Sequence, residues 1–323
     1  MSGTETMAAS DEPIAADGKP ELLVLRALKL GDLLVAVPAL KGIRRAFPEH
    51  RLRYAAQGWL SDALGLVGGY ELLPTHGLDE PLAMDPGVVD VAVNLHGSGP
   101  ESQGRIDALK ARRTVGHRGL HRDGPPWRPE LHERERWVRL LEWHGIEADP
   151  LDVQLHRPHV PSRVPGATVL HVGAAYGSRL WPVERFAAVA SALSEAGHQV
   201  VFTGGKSERE RAVEVCRLAG LPGTAMLAGV LGLGEFAATV AAARLVVSAD
   251  TGAAHLASAY GTPSVVLFGP APPEIWGPPP GPHVVLTRAD LRRGDTFAVE
   301  PDPALLAVQV PDVMAAVRDL GVL

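Results

Sequence analysis

The chain has one cysteine, Cys216, among 323 residues. An intrachain disulfide is therefore impossible and no cysteine-based metal site can be built. Cys216 falls within an amphipathic helical pattern and is expected to be a small buried residue. No excess of positive charge exists either. The formal net charge is −6, which argues against a general nucleic-acid binder. No run approaches the roughly 20 apolar residues that span a bilayer. Residues 1–20 are polar and acidic and lack the basic and apolar regions of a signal peptide. A disordered tail and a cytoplasmic location are expected, with peripheral contact at the inner membrane face left open.

What is present suits two cores. The composition is 46% hydrophobic and 21% charged, ordinary for a globular protein, and the length fits two domains better than one. Strand-like runs fall near 22–27, 51–55, 89–94, 113–116, 167–172, 198–203, 244–248 and 264–268. Helical patterns fall near 32–46, 102–110, 130–144, 183–196, 207–219, 234–242 and 252–260. This alternation indicates α/β architecture with parallel sheets covered by helices. The Pro-rich segment near 155–165 has no apolar periodicity and reads as a linker. It divides the chain into domains at 21–160 and 161–323.

Chemistry-bearing residues cluster where strands end. The run Arg244 to Val247 empties into Asp250-Thr251-Gly252, and His255 lies one turn inside the helix that follows. A strand ending at a helix start collects free N–H groups and the positive end of a dipole, which suits a phosphate. Helix capping by Asp250 or Thr251 is the plainer alternative. Four further segments follow strands: Leu30-Gly31-Asp32, Gly173 through Ser178-Arg179 to Trp181-Pro182, Gly204-Gly205 to Glu208, and Leu267-Phe268-Gly269-Pro270.

Taken in order from about Glu21 to about Gly277, these motifs resemble glycosyltransferase family 9, typified by ADP-heptose:lipopolysaccharide heptosyltransferases. The resemblance implies the GT-B fold, two doubly wound Rossmann-like domains facing each other across a cleft. It implies an inverting transfer of heptose, or a related sugar, from an ADP-sugar to a saccharide or glycolipid acceptor. Cofactor and metal are not implied, and the Asp-x-Asp metal signature of the other glycosyltransferase fold is missing from the sequence. The family places its base at Gly31-Asp32, so Asp32 is the candidate base, with helix capping as its alternative role. Arg179 stands where relatives carry Lys or Arg before Trp-Pro, and is the candidate for neutralising the diphosphate. Ser178, Thr251, Gly252 and His255 would complete that anion site. Glu208, after Gly205, would accept ribose hydroxyls, with Glu210 as substitute, and Asp250 would hold donor sugar hydroxyls. His96 and Ser98, after the strand ending at Asn94, are candidate acceptor contacts. So are Arg112 and Arg113, within a basic run that includes Arg105, Lys110, Arg118 and Arg122; a solvated face is the alternative for that run. The last helical stretch, near Val310 to Leu320, is expected to cross back onto the first domain. No obligate protein partner is evident. A non-catalytic nucleotide-sugar-binding protein, a sugar epimerase, and transfer to a non-lipopolysaccharide glycoside or natural product remain alternatives.

Overall fold

Apolar runs such as Glu21–Leu25 and Leu245–Ala249 are buried along their whole length. Strands covered on both faces are continuous apolar runs rather than alternating ones, and they assemble in parallel sheets. The computed structural model of the protein describes residues 18–119 and 122–323; most of the expected terminal tail lies outside them. Pro20 is already tied in, its carbonyl accepting from Arg51 N at 3.0 Å.

The first sheet holds β1 (Glu21–Leu25), β2 (Arg51–Ala56), β3 (Glu71–Pro74), β4 (Val89–Asn94) and β5 (Arg113–Val115). Its order is β3-β2-β1-β4-β5 and every pairing is parallel. Leu22 sits beside Leu52 on one side and Val91 on the other. Its helices are α1 (Leu30–Val35), α2 (Val37–Ala46), α3 (Ser61–Val67), α4 (Pro100–Ala108) and α5 (Glu133–Trp143). No helix or strand intervenes before β6 (Thr168–His171). With β7 (Val200–Thr203), β8 (Leu245–Ala249), β9 (Ser264–Leu267) and β10 (His283–Leu286), it forms the second sheet, ordered β10-β9-β8-β6-β7 and again all parallel. Helices α6 (Val183–Glu195), α7 (Arg209–Leu218), α8 (Leu233–Ala241), α9 (Gly252–Tyr260), α10 (Pro273–Trp276), α11 (Pro303–Leu306) and α12 (Val310–Asp319) complete the fold.

Three expectations change. The helix expected over 32–46 is two, broken at Ala36, because Pro38 lacks the N–H that would continue the ladder. Strands β3 and β10 were not expected; both are four residues long and lie at sheet edges. The final helix does not cross to the first domain. Val313, Ala316 and Val317 of α12 pack into the second core, against α6, β9 and β10.

The two sheets close on each other. One apolar cluster runs from Leu30, Leu33 and Leu34 of α1 to Leu256, Ala257 and Ala259 of α9 and on to Val169 and Val246. The approach is tight enough to require glycine. A Cβ on Gly252 would lie 2.7 Å from Leu30 Cδ2, and one on Gly31 would lie 3.1 Å from His255 Cδ2. Among the described residues, no helix is long and apolar enough to cross a membrane.

Candidate functional site

Open parallel sheets bind ligands at the carboxyl ends of their strands, where the strand order reverses. In the first sheet that point lies between β1 and β4, and in the second between β6 and β8. The loops leaving those four strands carry Asp32, His96, Arg179 and Asp250, and they face each other across the closed cleft.

On the first side, Asp32 is the third residue of α1. Its Oδ2 accepts from Lys29 N at 3.1 Å, so it does cap the helix. The cap also fixes the carboxylate, whose side chain stays 25% exposed. Arg26 holds it from behind, with Nη2 at 3.5 Å from Oδ1 and Nε donating to the Asp32 carbonyl at 2.6 Å. That guanidinium is fully buried. It also donates to the Leu95 carbonyl and to Glu133, and stands over the Trp137 ring. Arg26 was not singled out from the sequence; its signal was a charge at the end of an otherwise apolar strand. His96 Nδ1 accepts from Ala27 N at 3.2 Å. Burial lowers the His96 pKa, Arg26 adds to the effect and Asp32 opposes it, which leaves a neutral ring beside Asp32. Ser98 lies in the same loop, its carbonyl accepting from Gln103.

On the second side, Thr251 caps α9, its hydroxyl accepting from Ala253 N at 3.3 Å. Asp250 precedes it and is buried. Arg179 Nη1 donates to the Asp250 carbonyl at 3.1 Å and lies 3.2 Å from Oδ2, while Asp250 Oδ1 faces His255 Nε2 at 3.6 Å. The contact with Oδ2 is an ion-pair approach rather than a hydrogen bond, because Oδ2 has no hydrogen-bond partner among the described residues. Burial pushes the Asp250 pKa up to about 6, Arg179 pulls against it, and Asp32 across the cleft raises it further. Burial pulls the His255 pKa down to about 3, helped by Arg134, Arg179 and His132.

Glu208 leaves β7 as expected and reaches over β6. Its carboxylate accepts from Gly205 N, and it occupies the space that a Cβ on Gly173 would take. Glu210, the expected substitute, is exposed.

Two expectations fail. Ser178 is fully buried, its hydroxyl donating to the Thr296 carbonyl at 2.9 Å and its N–H to Ala298, so it anchors a loop instead of facing a ligand. Arg112 and Arg113 lie at the amino end of β5, the edge away from the cleft. Arg112 pairs with Asp90 near the start of β4, and Arg113 donates to the His144 carbonyl and stands over Phe47. A strand's first residue cannot share the face formed by its last. The rest of the basic run disperses too: Arg105 braces the Leu78 and Asp79 carbonyls, and Arg122 pairs with Asp107.

Other cleft residues were missed. His132 and Arg134, at the start of α5, both donate to the Gly277 carbonyl of the second domain. Lys29 Nζ crosses to the face of Tyr176, 4.5 Å from its ring centre.

The two doubly wound domains and their facing switch points define the GT-B class. Solved structures share it. ADP-heptose lipopolysaccharide heptosyltransferase II of Escherichia coli matches with a TM-score of 0.73 at 20% identity, over 93% of this chain and 98% of that one. A glycosyl transferase family 9 structure from Veillonella parvula matches at 0.72 and 20%, over 96% and 98%. Residues 151–299 match the model of glycosyltransferase family 9 (heptosyltransferase). Over 179 residues the chain is 36% identical to lipopolysaccharide heptosyltransferase 1 of Pseudomonas aeruginosa, covering 53% of this chain and 49% of that protein. The chain thus spans about half the length of the curated relatives it matches. The sequence match to the family's model is centred on the second domain.

Proposed function

We propose that the protein transfers a sugar, heptose foremost, from an ADP-sugar to a hydroxyl of a saccharide acceptor, with inversion and without a metal. The observation that carries this reading is the placement of Asp32 opposite Arg179, Asp250 and the start of α9, across a cleft shut by Gly31 and Gly252. The names of the relatives support ADP-heptose as donor and a lipopolysaccharide-core sugar, or another glycoside, as acceptor.

The chemistry follows from the positions. Asp32 takes the proton of the acceptor hydroxyl. The oxygen bonds to the anomeric carbon from the face opposite the diphosphate. The bond from that carbon to the phosphate oxygen breaks, and its electron pair leaves with ADP. One carboxylate suffices for this direct displacement, whereas a retaining route needs a second as nucleophile. Arg179 and the N–H groups of the first turn of α9 receive the charge on the departing diphosphate. Glu208 suits the ribose hydroxyls and Asp250 the sugar hydroxyls. His96 and Ser98 are left as the acceptor-side contacts.

The test is transfer and hydrolysis across a panel of nucleotide sugars with saccharide acceptors. ADP-heptose is expected to turn over fastest, and activity is expected to survive excess EDTA. Turnover confined to a different nucleotide sugar would overturn the donor assignment, and loss on chelation restored by Mg²⁺ would overturn the metal-free route. Binding without turnover of any donor would leave a nucleotide-sugar-binding protein, and release of an isomerised donor an epimerase.

A further inference from the structure

Arg134 is the second residue of α5, and only 7% of its surface is exposed where the two domains meet. Its Nη1 donates to the Gly277 carbonyl at 3.0 Å. His132 Nε2 donates to the same oxygen at 3.0 Å, while its Nδ1 caps α5 by accepting from Arg134 N. Gly277 follows Trp276, which packs on Ala254 and Phe268. Ala254 lies in the first turn of α9, next to His255. This line of contacts carries a first-domain guanidinium to the helix start that faces Asp32.

The guanidinium is undercompensated. Arg26 pairs with Asp32 and Glu133, and Arg179 with Asp250. Arg134 has no carboxylate within 4.0 Å among the described residues, and its buried Nε has no partner among them. Burying a cation without a counter-charge is unfavourable unless something else supplies it. Burial drags its pKa down to about 10, a direction that a bound anion would reverse. Glu135 offsets the burial only in part, and a cation so placed beside a helix start, within a cleft, is complementary to a multiply charged anion.

We infer that Arg134 is a donor-positioning residue that supplies, from the first domain, a second positive charge to the diphosphate of a nucleoside diphosphate sugar. The inference rests on the nucleotide-sugar reading above. Arg179 serves the diphosphate from the second domain, and Arg134 reaches it only when the domains are together, so donor binding and closure reinforce each other. A latch on Gly277 alone is the competing role, and His132 shares that latch.

The experiment is calorimetric titration of ADP and of adenosine against the full chain and five variants. Arg134→Gln keeps an amide donor for the Gly277 carbonyl and removes the charge. Arg134→Met is an apolar side chain suited to a buried site, should the first variant not fold. Arg134→Lys restores the charge, and His132→Asn perturbs the latch alone. Arg134→Gln or Arg134→Met is expected to weaken ADP about 10-fold or more, as for loss of a hydrogen bond to a charged group, with adenosine nearly unchanged. Arg134→Lys is expected to recover most of the loss, and His132→Asn to leave the ratio of the two affinities as in the parent. Equal effects of the Arg134 variants on ADP and adenosine would reduce Arg134 to a latch and overturn the inference. Arg179→Ala serves as the reference. If it too leaves the ratio unchanged, the nucleotide-sugar reading itself fails; if it lowers the ratio while the Arg134 variants do not, only the present inference fails.

Discussion

At the scale of single residues, Asp250 and His255 are two neighbours whose burial acts in opposite directions on stability. Asp250 has its pKa raised to about 6 in the fold, mainly by burial. The folded protein therefore holds that proton more tightly than the unfolded chain does. Its contribution is present at low pH and lost as pH rises from about 4 to about 6, by at most about 3 kcal/mol. His255 has its pKa lowered to about 3, again mainly by burial. Its contribution is present above about 6.5 and lost as pH falls toward 3. Between pH 4 and 6 the two slopes offset each other. Asp250→Asn removes one of them, so unfolding free energy measured in urea is expected to climb with pH in that window more steeply than for the parent. Parallel curves for variant and parent would contradict the burial account. Both residues were legible in the sequence because they follow one strand end. Arg134 and His132 were not, because the carbonyl they hold belongs to Gly277, far away in the chain.

At the scale of elements, the cleft depends on α1 and α9 meeting start to start. Gly252→Ala would place a methyl group 2.7 Å from Leu30 Cδ2 and 2.9 Å from Leu30 Cγ. Overpacking of this kind typically destabilises by about 1–3 kcal/mol. It also pushes α1, which carries Asp32, away from Asp250. A lower melting temperature is expected, with kcat falling more than donor KM rises. A variant indistinguishable from the parent in both would show that the contact yields freely. The alternation of strands and helices could be read directly, since parallel strands buried on both faces are continuous apolar runs. Strands β3 and β10 could not, being ELLP and HVVL, four residues long and bordered by Pro or His at sheet edges. The basic run near 105–122 misled for a related reason. Position along a strand decides which end of the sheet a side chain serves, and Arg113 opens β5 with Arg112 just before it, while the cleft lies beyond its close.

At the scale of the whole molecule, two sheets place their switch points opposite each other. The first domain brings Asp32, braced by Arg26 and beside His96, and the second brings Arg179, Asp250, Glu208 and the start of α9. Neither half carries the complete set that the proposed glycosyl transfer uses, and the apolar cluster shared by α1 and α9 holds the halves together. The sequence match to the family lies in the second domain, within residues 151–299, while the proposed base lies in the first, so Asp32 is where the account is most exposed. The direct measurement is steady-state turnover of ADP-heptose with a saccharide acceptor by the parent and by Asp32→Asn, alongside ADP affinity. The account predicts that the parent turns over and that Asp32→Asn loses roughly 10²- to 10⁴-fold in kcat, with ADP affinity nearly unchanged. Near-parental turnover by Asp32→Asn would contradict it and leave Asp32 as the cap of α1.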